Sequence, residues 1–331
     1  MMTDRKNAKI SVVLSFFNES NNIPELLQRL RKVFADMIAE GIVGSYELVF
    51  VNDNSRDNSE ALLRHEVEKG DVVLVNMTRN FGVSECVLAG MEQSSGDGVV
   101  YMDADLQDPP EVIPEMIRTW LADPEAEVVY TTRIKRAGEH PLKLLVTKYA
   151  YRVLKHISDI QLPVDSGDFK LLSRRVVDHL LTLKEDKPYI RGLVSWVGYK
   201  QVPVYYNRDP RFDGRENTKF PVLSRRVISG YLDRALISFS DVPLKITLFL
   251  GLLLSFVSIM YIFVVLFQKI MGWYEPGWPA LMFAILLIGG IQLMMLGFTG
   301  LYVGAIFRET KGRPLYLIKE VIRSTGTSTR S

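Results

Sequence analysis

Short apolar runs alternate with segments of helical periodicity through the first 131 residues, and this alternation narrows the fold more than any other feature of the chain. Residues 10–16, 46–51, 72–76, 98–102 and 127–131 are rich in Val, Ile, Leu, Phe and Tyr and read as buried strands. Between them, residues 23–39, 58–69, 83–93 and 111–121 carry apolar residues at helical spacing. Strand–helix alternation of this kind implies an α/β fold, a mostly parallel sheet wrapped by helices. Such sheets bind ligands in the crevice outside the carboxyl ends of their strands. Asn18, Glu19, Asp53, Arg79, Asp103 and Asp105 all fall just past a strand, so the fold can bring them to one cleft.

The stretch DADLQDPP at 103–110 follows the apolar run 99–102. Side chains alternate along a strand, so Asp103 and Asp105 can point the same way into the crevice. Two converging carboxylates repel unless a cation lies between them. Mg²⁺ or Mn²⁺ is held in this manner, with substrate phosphates and water completing the shell. That points to a site for a nucleotide diphosphate. The bland alternative is a polar turn before a helix, for which Asp and Pro are equally suited.

The net charge of +2 excludes bulk polyanion binding, so no nucleic-acid partner is expected. Basic residues are instead local, in 133–155 and again in 208–226. A single cysteine, Cys86, excludes an internal disulfide and reads as a small apolar residue on a helix. Residues 1–17 lack the pattern of a secretory signal, which leaves the N-terminal part in the cytosol. The C-terminal part differs. Residues 246–267 and 280–307 carry no charged side chain, and each exceeds the roughly 20 residues that span a bilayer. Trp273, Tyr274 and Trp278 between them suit the headgroup level, and Arg308, Lys311, Arg313, Lys319 and Arg323 follow. Positive-inside logic places that tail, and the N-terminal domain with it, in the cytoplasm of a multi-pass protein of the cytoplasmic membrane. In 141–157, Leu142, Leu145, Val146, Tyr149 and Val153 share one helical face and Lys148, Arg152 and Lys155 another. This pattern suits a helix lying in the membrane interface, with a soluble amphipathic helix packed on the core as the lesser alternative. Residues 221–241 offer a second interfacial candidate. The resulting division is 1–220 for a cytosolic catalytic domain, 221–243 for an interfacial amphipathic helix, 244–307 for two spans and 308–331 for a cytosolic tail. Gly289, Gly290, Gly297, Gly300 and Gly304 give the second span small-residue surfaces, which makes a homo-oligomer an expectation.

SVVLSFFNES at 11–20, VNDNSRDNS at 51–59, TRNFG at 78–82, DADLQDPP, GDFKLLSRR at 167–175, RDPRFDGRENTKF at 208–220 and KGRPLY at 311–316 resemble, in this order, a known family. It is the GT-A type glycosyltransferases of family 2 that act on polyisoprenyl phosphates. The likeness is nearest to the bactoprenol glucosyltransferases and more distant to the dolichol-phosphate mannose synthases. It implies a GT-A catalytic domain and metal-dependent, inverting transfer of a single sugar from a nucleotide-diphosphate sugar to undecaprenyl or another polyisoprenyl phosphate. Glucose from UDP-glucose is the favoured donor by resemblance, with N-acetylated sugars and GDP-mannose open.

By the same resemblance, Phe17, Glu19 and Asp53 hold base and ribose, Arg79 and Gln107 contact the donor, and Asp103 and Asp105 carry Mg²⁺ or Mn²⁺. For Asn54 and Ser55 a plain turn or helix cap is as good a reading. Asp168 lies near the reacting centre, as a base or as an orienting group. A lipid monophosphate has a second pKa near ~6 and is already a nucleophile at neutral pH, which favours orientation. Arg208 and Arg211 hold the acceptor phosphate, a task for which the guanidinium fork is well matched, and Lys219 completes the loop. Two departures stand out: residues 214–219 hold two more residues between Gly and Thr than the family pattern, and Asn52 stands where the family often has aspartate. A processive polysaccharide synthase would need further spans and a Q-x-x-R-W motif. A membrane-tethered, non-catalytic nucleotide-sugar binder is the other alternative.

Overall fold

A computed structural model describes residues 5, 7–133, 166–183, 185, 188–208, 212, 242–273 and 277–324. The expected interfacial helices in 141–157 and 221–241, Arg211, Lys219 and residues 325–331 lie outside the described residues.

Among the described residues the strands form one eight-stranded sheet. They are β1 (Lys9–Phe16), β2 (Ser45–Asn52), β3 (Val72–Met77), β4 (Gly98–Asp103), β5 (Val128–Arg133), β6 (Ser166–Ser173), β7 (Gln201–Tyr206) and β8 (Ile318–Ile322), in the order β7-β5-β6-β4-β1-β2-β3-β8. β1, β2, β3 and β4 run parallel, as the alternation with helices requires. β6 runs antiparallel to both β4 and β5, and β8 antiparallel to β3, so the whole sheet is mixed. The sequence reading placed the first five strands within a residue or two of their ends.

Both faces of the sheet are covered, which explains why the central strands are nearly continuous apolar runs. Val12, Leu14 and Phe16 point to one side, where α1 (Ile23–Ala39) brings Leu26, Leu30 and Phe34, and α4 (Ile113–Ala122) brings Met116 and Trp120. α2 (Ser59–Val67) closes that layer with Leu63 and Val67. Val13, Val49 and Tyr101 point to the other side, against α3 (Val83–Gln93), α5 (Arg174–Thr182) and α6 (Ile190–Trp196). Gly90 lets α3 sit close on the sheet: a Cβ there would fall 2.3 Å from Val13 Cγ1 and 2.9 Å from Val51 Cγ2.

Two long helices follow the domain, α7 (Val242–Ile270) and α8 (Trp278–Thr310). Among the described residues, Leu287–Thr310 is the stretch long and apolar enough to cross a membrane, and none of it is buried within the protein. Phe249, Leu252, Phe256, Phe263, Leu293 and Leu296 are all exposed. The segment after α8 is more than a tail. Ile318–Ile322 returns to the sheet as β8, and Tyr316 donates a hydrogen bond to Glu92 on α3 at 2.9 Å.

Candidate active site

Read from β3, the parallel strands lie in the order 3-2-1-4, and the winding direction reverses between β1 and β4. A topological switch point of this kind opens a crevice at the carboxyl ends of the strands. Register fixes what lines it. Ser15 pairs with Asp103, Phe16 with Asn52 and Asn52 with Asn76, so four strands end at nearly one level. Three residues just past these ends take the left-handed conformation without being glycine: Asn18, Asn54 and Leu106, at φ of 58°, 61° and 58°. Asn tolerates this geometry, but an aliphatic residue does not do so readily, at a cost of about 1–2 kcal/mol. Leu106 offsets it by near-complete burial, 1% exposed, which is worth about 1.5–3 kcal/mol for such a side chain. The buried leucine therefore pins the loop that displays Asp103, Asp105 and Gln107.

In that loop the Gln107 N–H donates to Asp105 Oδ1 at 3.1 Å, an Asx turn that fixes the second carboxylate. Ser15 Oγ approaches Asp103 Oδ1 at 3.5 Å. The Asp103 carboxyl is pushed up to about 7, chiefly by burial and then by the charges of Asp105, Asp168 and Asp108; Arg208 opposes the rise. This is the signature of surplus negative charge in a poorly solvated place. A divalent cation fits it. Among the described residues no three His, Cys, Asp or Glu side chains are grouped to ligate a metal, so such an ion would rest on the two carboxylates with the rest of its shell from ligand phosphates and water.

The far side of the crevice is built differently. Asp53, 6% exposed, accepts from the Phe81 N–H at 2.7 Å and the Gly82 N–H at 3.1 Å, and so holds the TRNFG turn at the start of α3. Glu19 is buried beside Asn22, whose side-chain amide donates to it, and the Glu19 N–H donates to Ser59 Oγ at 3.1 Å. Phe17 is exposed at the mouth. Arg79 is exposed too, its guanidinium 3.9 Å from the centre of the Phe81 ring. Asn54 and Ser55 form a turn: the Ser55 N–H donates to Asn52 Oδ1 at 2.8 Å, and Ser55 Oγ accepts from the Asn18 N–H at 3.0 Å. Asn52, the departure from the family pattern, is satisfied inside the sheet by donating to Asn76 Oδ1 at 2.9 Å.

The structure thus gathers Asp103, Asp105, Asp168 and Arg208 on one side and Glu19, Asp53 and Arg79 along the ends of β1 to β3. Sequence reasoning missed several members. Arg191 on α6 forks onto Asp168. Asp108, within the quoted motif, is buried and faces Arg208 and Tyr206. Lys170, paired across β4–β6 with Tyr101, is fully buried, and neither Nζ nor the Tyr101 hydroxyl has a hydrogen-bond partner among the described residues. Asp108 was signalled by its position beside the acidic pair. Arg191 had no local signal, because its role depends on where a separate helix packs.

A parallel 3-2-1-4 sheet with a paired-aspartate loop at its switch point defines a GT-A, Rossmann-like domain. The family model described as Glycosyl transferase family 2 matches residues 11–181, and the chain belongs to that family of enzymes. It is similar over 95% of its length to the uncharacterized glycosyltransferase YkcC of Bacillus subtilis, at 41% identity and covering 94% of that protein. The prophage bactoprenol glucosyl transferase homolog of Escherichia coli is 36% identical over 95% of this chain and 99% of its own. The bactoprenol glucosyl transferase of Shigella phage SfX is 34% identical over 94% of this chain and 99% of its own.

Proposed function

We propose that this glycosyltransferase is anchored in the cytoplasmic membrane and moves one hexose, glucose from UDP-glucose, to a polyisoprenyl phosphate such as undecaprenyl phosphate, with inversion. The observation that carries this reading is electrostatic: Arg208, which opens the basic segment 208–220, lies close enough to Asp103 to oppose its charge build-up. Acidic groups suited to a donor and a cation suited to a phosphorylated acceptor therefore share one crevice. The bactoprenol glucosyl transferases among the relatives supply the substrate class.

In this reading Asp103 and Asp105 hold Mg²⁺ or Mn²⁺, which when bound offsets the charge on the departing nucleotide diphosphate. Phe17, Glu19, Asp53, Arg79 and Gln107 place the donor. A lipid phosphate oxygen attacks the anomeric carbon from the opposite face, while Arg208, Arg211 and Lys219 neutralise the acceptor. Asp168 orients the reacting groups; its carboxylate already receives two hydrogen bonds from Arg191.

Parity supports a two-span topology. The chain enters α7 from the domain, and β8, beyond α8, hydrogen-bonds to β3 of that same domain. The number of crossings between them must be even, so if α8 crosses, α7 crosses as well. At about 1.5 Å per residue, the 29 residues of α7 exceed the roughly 30 Å of hydrocarbon. Both termini then lie on the cytoplasmic side. The glycines at 289, 290, 297 and 300 have open space where a Cβ would be, which suits packing against a second copy in a homo-oligomer.

The test is nucleotide release by the detergent-solubilised protein across UDP- and GDP-sugars, with Mn²⁺ or Mg²⁺, each with and without undecaprenyl phosphate. Release from UDP-glucose that needs both metal and lipid phosphate is expected. Nucleotide binding without lipid-dependent release from any donor overturns the acceptor assignment in favour of a binder.

A further inference from the structure

Asp108 closes the loop that bears the acidic pair, and its side chain turns away from solvent, 2% exposed. Its partners both come from the end of β7. The Tyr206 hydroxyl donates to Asp108 Oδ1, and Arg208 Nε faces the same oxygen at 3.3 Å. Tyr206 is itself fixed, 4% exposed and edge-to-face against Phe169 with ring centres 6.1 Å apart. The contact with Arg208 uses the inner nitrogen of the guanidinium. Among the described residues its two terminal nitrogens form no hydrogen bond, and such a fork is matched to a phosphate.

A buried carboxylate that needed only solvation could be satisfied by neutral donors. Here it faces a cation as well as the Tyr206 hydroxyl, and that cation is the first residue of the segment proposed to meet the acceptor. Asp103 feels both groups, Asp108 raising and Arg208 lowering its proton affinity, which places the three in one field. We infer that Asp108 is a positioning residue: it sets the Arg208 guanidinium at the junction of donor and acceptor, so the loop that carries the acidic pair also places the acceptor-binding arginine. The inference rests on the proposed acceptor role of Arg208. It predicts an effect on acceptor use that donor binding does not share.

The experiment uses the full-length solubilised enzyme with UDP-glucose, Mn²⁺ and undecaprenyl phosphate, in wild type, Asp108→Asn, Arg208→Ala and the double variant. Asp108→Asn keeps an acceptor for the Tyr206 hydroxyl and removes the charge that faces Arg208. The KM for lipid phosphate is expected to rise about tenfold or more, the loss of one charge-assisted contact, with the KM for UDP-glucose and calorimetric binding of Mn²⁺–UDP changed far less. In the Arg208→Ala background the same change is expected to add nothing. Tyr206→Phe is expected to lower thermal stability and leave the lipid KM near wild type. Should Asp108→Asn fail to fold, Arg208→Lys, which keeps the charge and loses the inner nitrogen, is expected to raise the lipid KM similarly. An unchanged lipid KM, a rise confined to the donor, or equal losses with and without Arg208 each overturn the inference while the transferase stands. A wild type with no lipid-dependent release overturns the acceptor reading itself, and this inference with it.

Discussion

Arg191 Nε donates to Asp168 Oδ1 at 2.5 Å while Nη2 donates to Oδ2, so residues 23 apart on β6 and α6 form a bidentate ion pair beside the acidic loop. A carboxylate held in such a fork is fixed in direction, with both oxygens occupied by the guanidinium. The geometry favours orientation over base catalysis for Asp168. Asp168→Asn is accordingly expected to lower kcat by about tenfold to a hundredfold, below the upper range for loss of a general base, without moving the pH profile. Steady-state kinetics from pH 6 to 9 check this. A fall of more than about 10⁴ with loss of the acidic limb returns Asp168 to the role of base.

Asp103 is held at a cost to the fold, since burial and three neighbouring carboxylates disfavour its charge. Replacing it by Asn removes that repulsion. Asp103→Asn is expected to abolish turnover and yet raise the melting temperature at pH 8, whereas Mn²⁺ raises the melting temperature of the wild type alone. Differential scanning fluorimetry with and without Mn²⁺ reads both effects. A destabilised Asp103→Asn protein would mean that the carboxylate supports the loop rather than a ligand.

The strands β1 to β5 were legible because each is buried on both faces, so tertiary packing and sequence pattern agree. The acidic pair was legible because it abuts such a strand. β8 was not, because Ile318–Ile322 is a five-residue run with two adjacent charges, Lys319 and Glu320, beyond a long apolar helix, and resembles an ordinary charged tail. Arg191 and the fully buried Lys170 were illegible for another reason. Their significance depends on partners supplied by strand pairing and helix packing, and nothing in the neighbouring residues marks a lysine as interior.

Lys170 gives a pH-dependent prediction. Burial pushes its amine down to about 8; Asp168 opposes this and Arg191 adds to it. The unfolded chain thus binds the proton more tightly than the folded one, and stability rises with pH between about 8 and the ordinary lysine value. Below that window the penalty is fully present, on the order of 3 kcal/mol. Lys170→Met is expected to raise stability at pH 7 and to lose that advantage toward pH 10.5. Denaturant midpoints at the two pH values decide it. No gain at pH 7 would mean the ammonium is partnered in solution.

Glu47 behaves in the opposite sense. Burial pushes its carboxyl up, but hydrogen bonds from Lys9 at 2.9 Å, Ser11 Oγ at 2.6 Å and the Ser95 N–H at 2.6 Å outweigh this and hold it below the usual range. Its contribution is present above the ordinary glutamate value of 4.5 and is lost as pH falls through the depressed folded value. Glu47→Ala is expected to cost about 1–3 kcal/mol at pH 7, the price of unsatisfied buried donors, and the gap to wild type should close below pH 4.5. Thermal melts from pH 3 to 7 test this, and a constant gap would assign the loss to packing.

β8 joins the two halves of the molecule and makes the last prediction. It covers the edge of β3, and Glu320 accepts from Asn76 Nδ2 at 3.0 Å and pairs with Arg64 on α2. Arg323 donates to the Gln93 carbonyl at 3.1 Å, and Tyr316 reaches Glu92, so the strap also grips the end of α3. An uncovered β3 would present unpaired N–H and C=O groups along its length, a template for pairing with other chains. Ending the chain after residue 312 is therefore expected to lower the melting temperature of the catalytic domain and promote aggregation, although the removed segment lies beyond both long helices. Glu320→Ala is expected to show the milder form, with faster hydrogen exchange confined to β3 and β8. Because β8 must reach β3, a C-terminal reporter is expected on the same side of the membrane as the N-terminus; opposite sides would mean that strand pairing and span number cannot both hold.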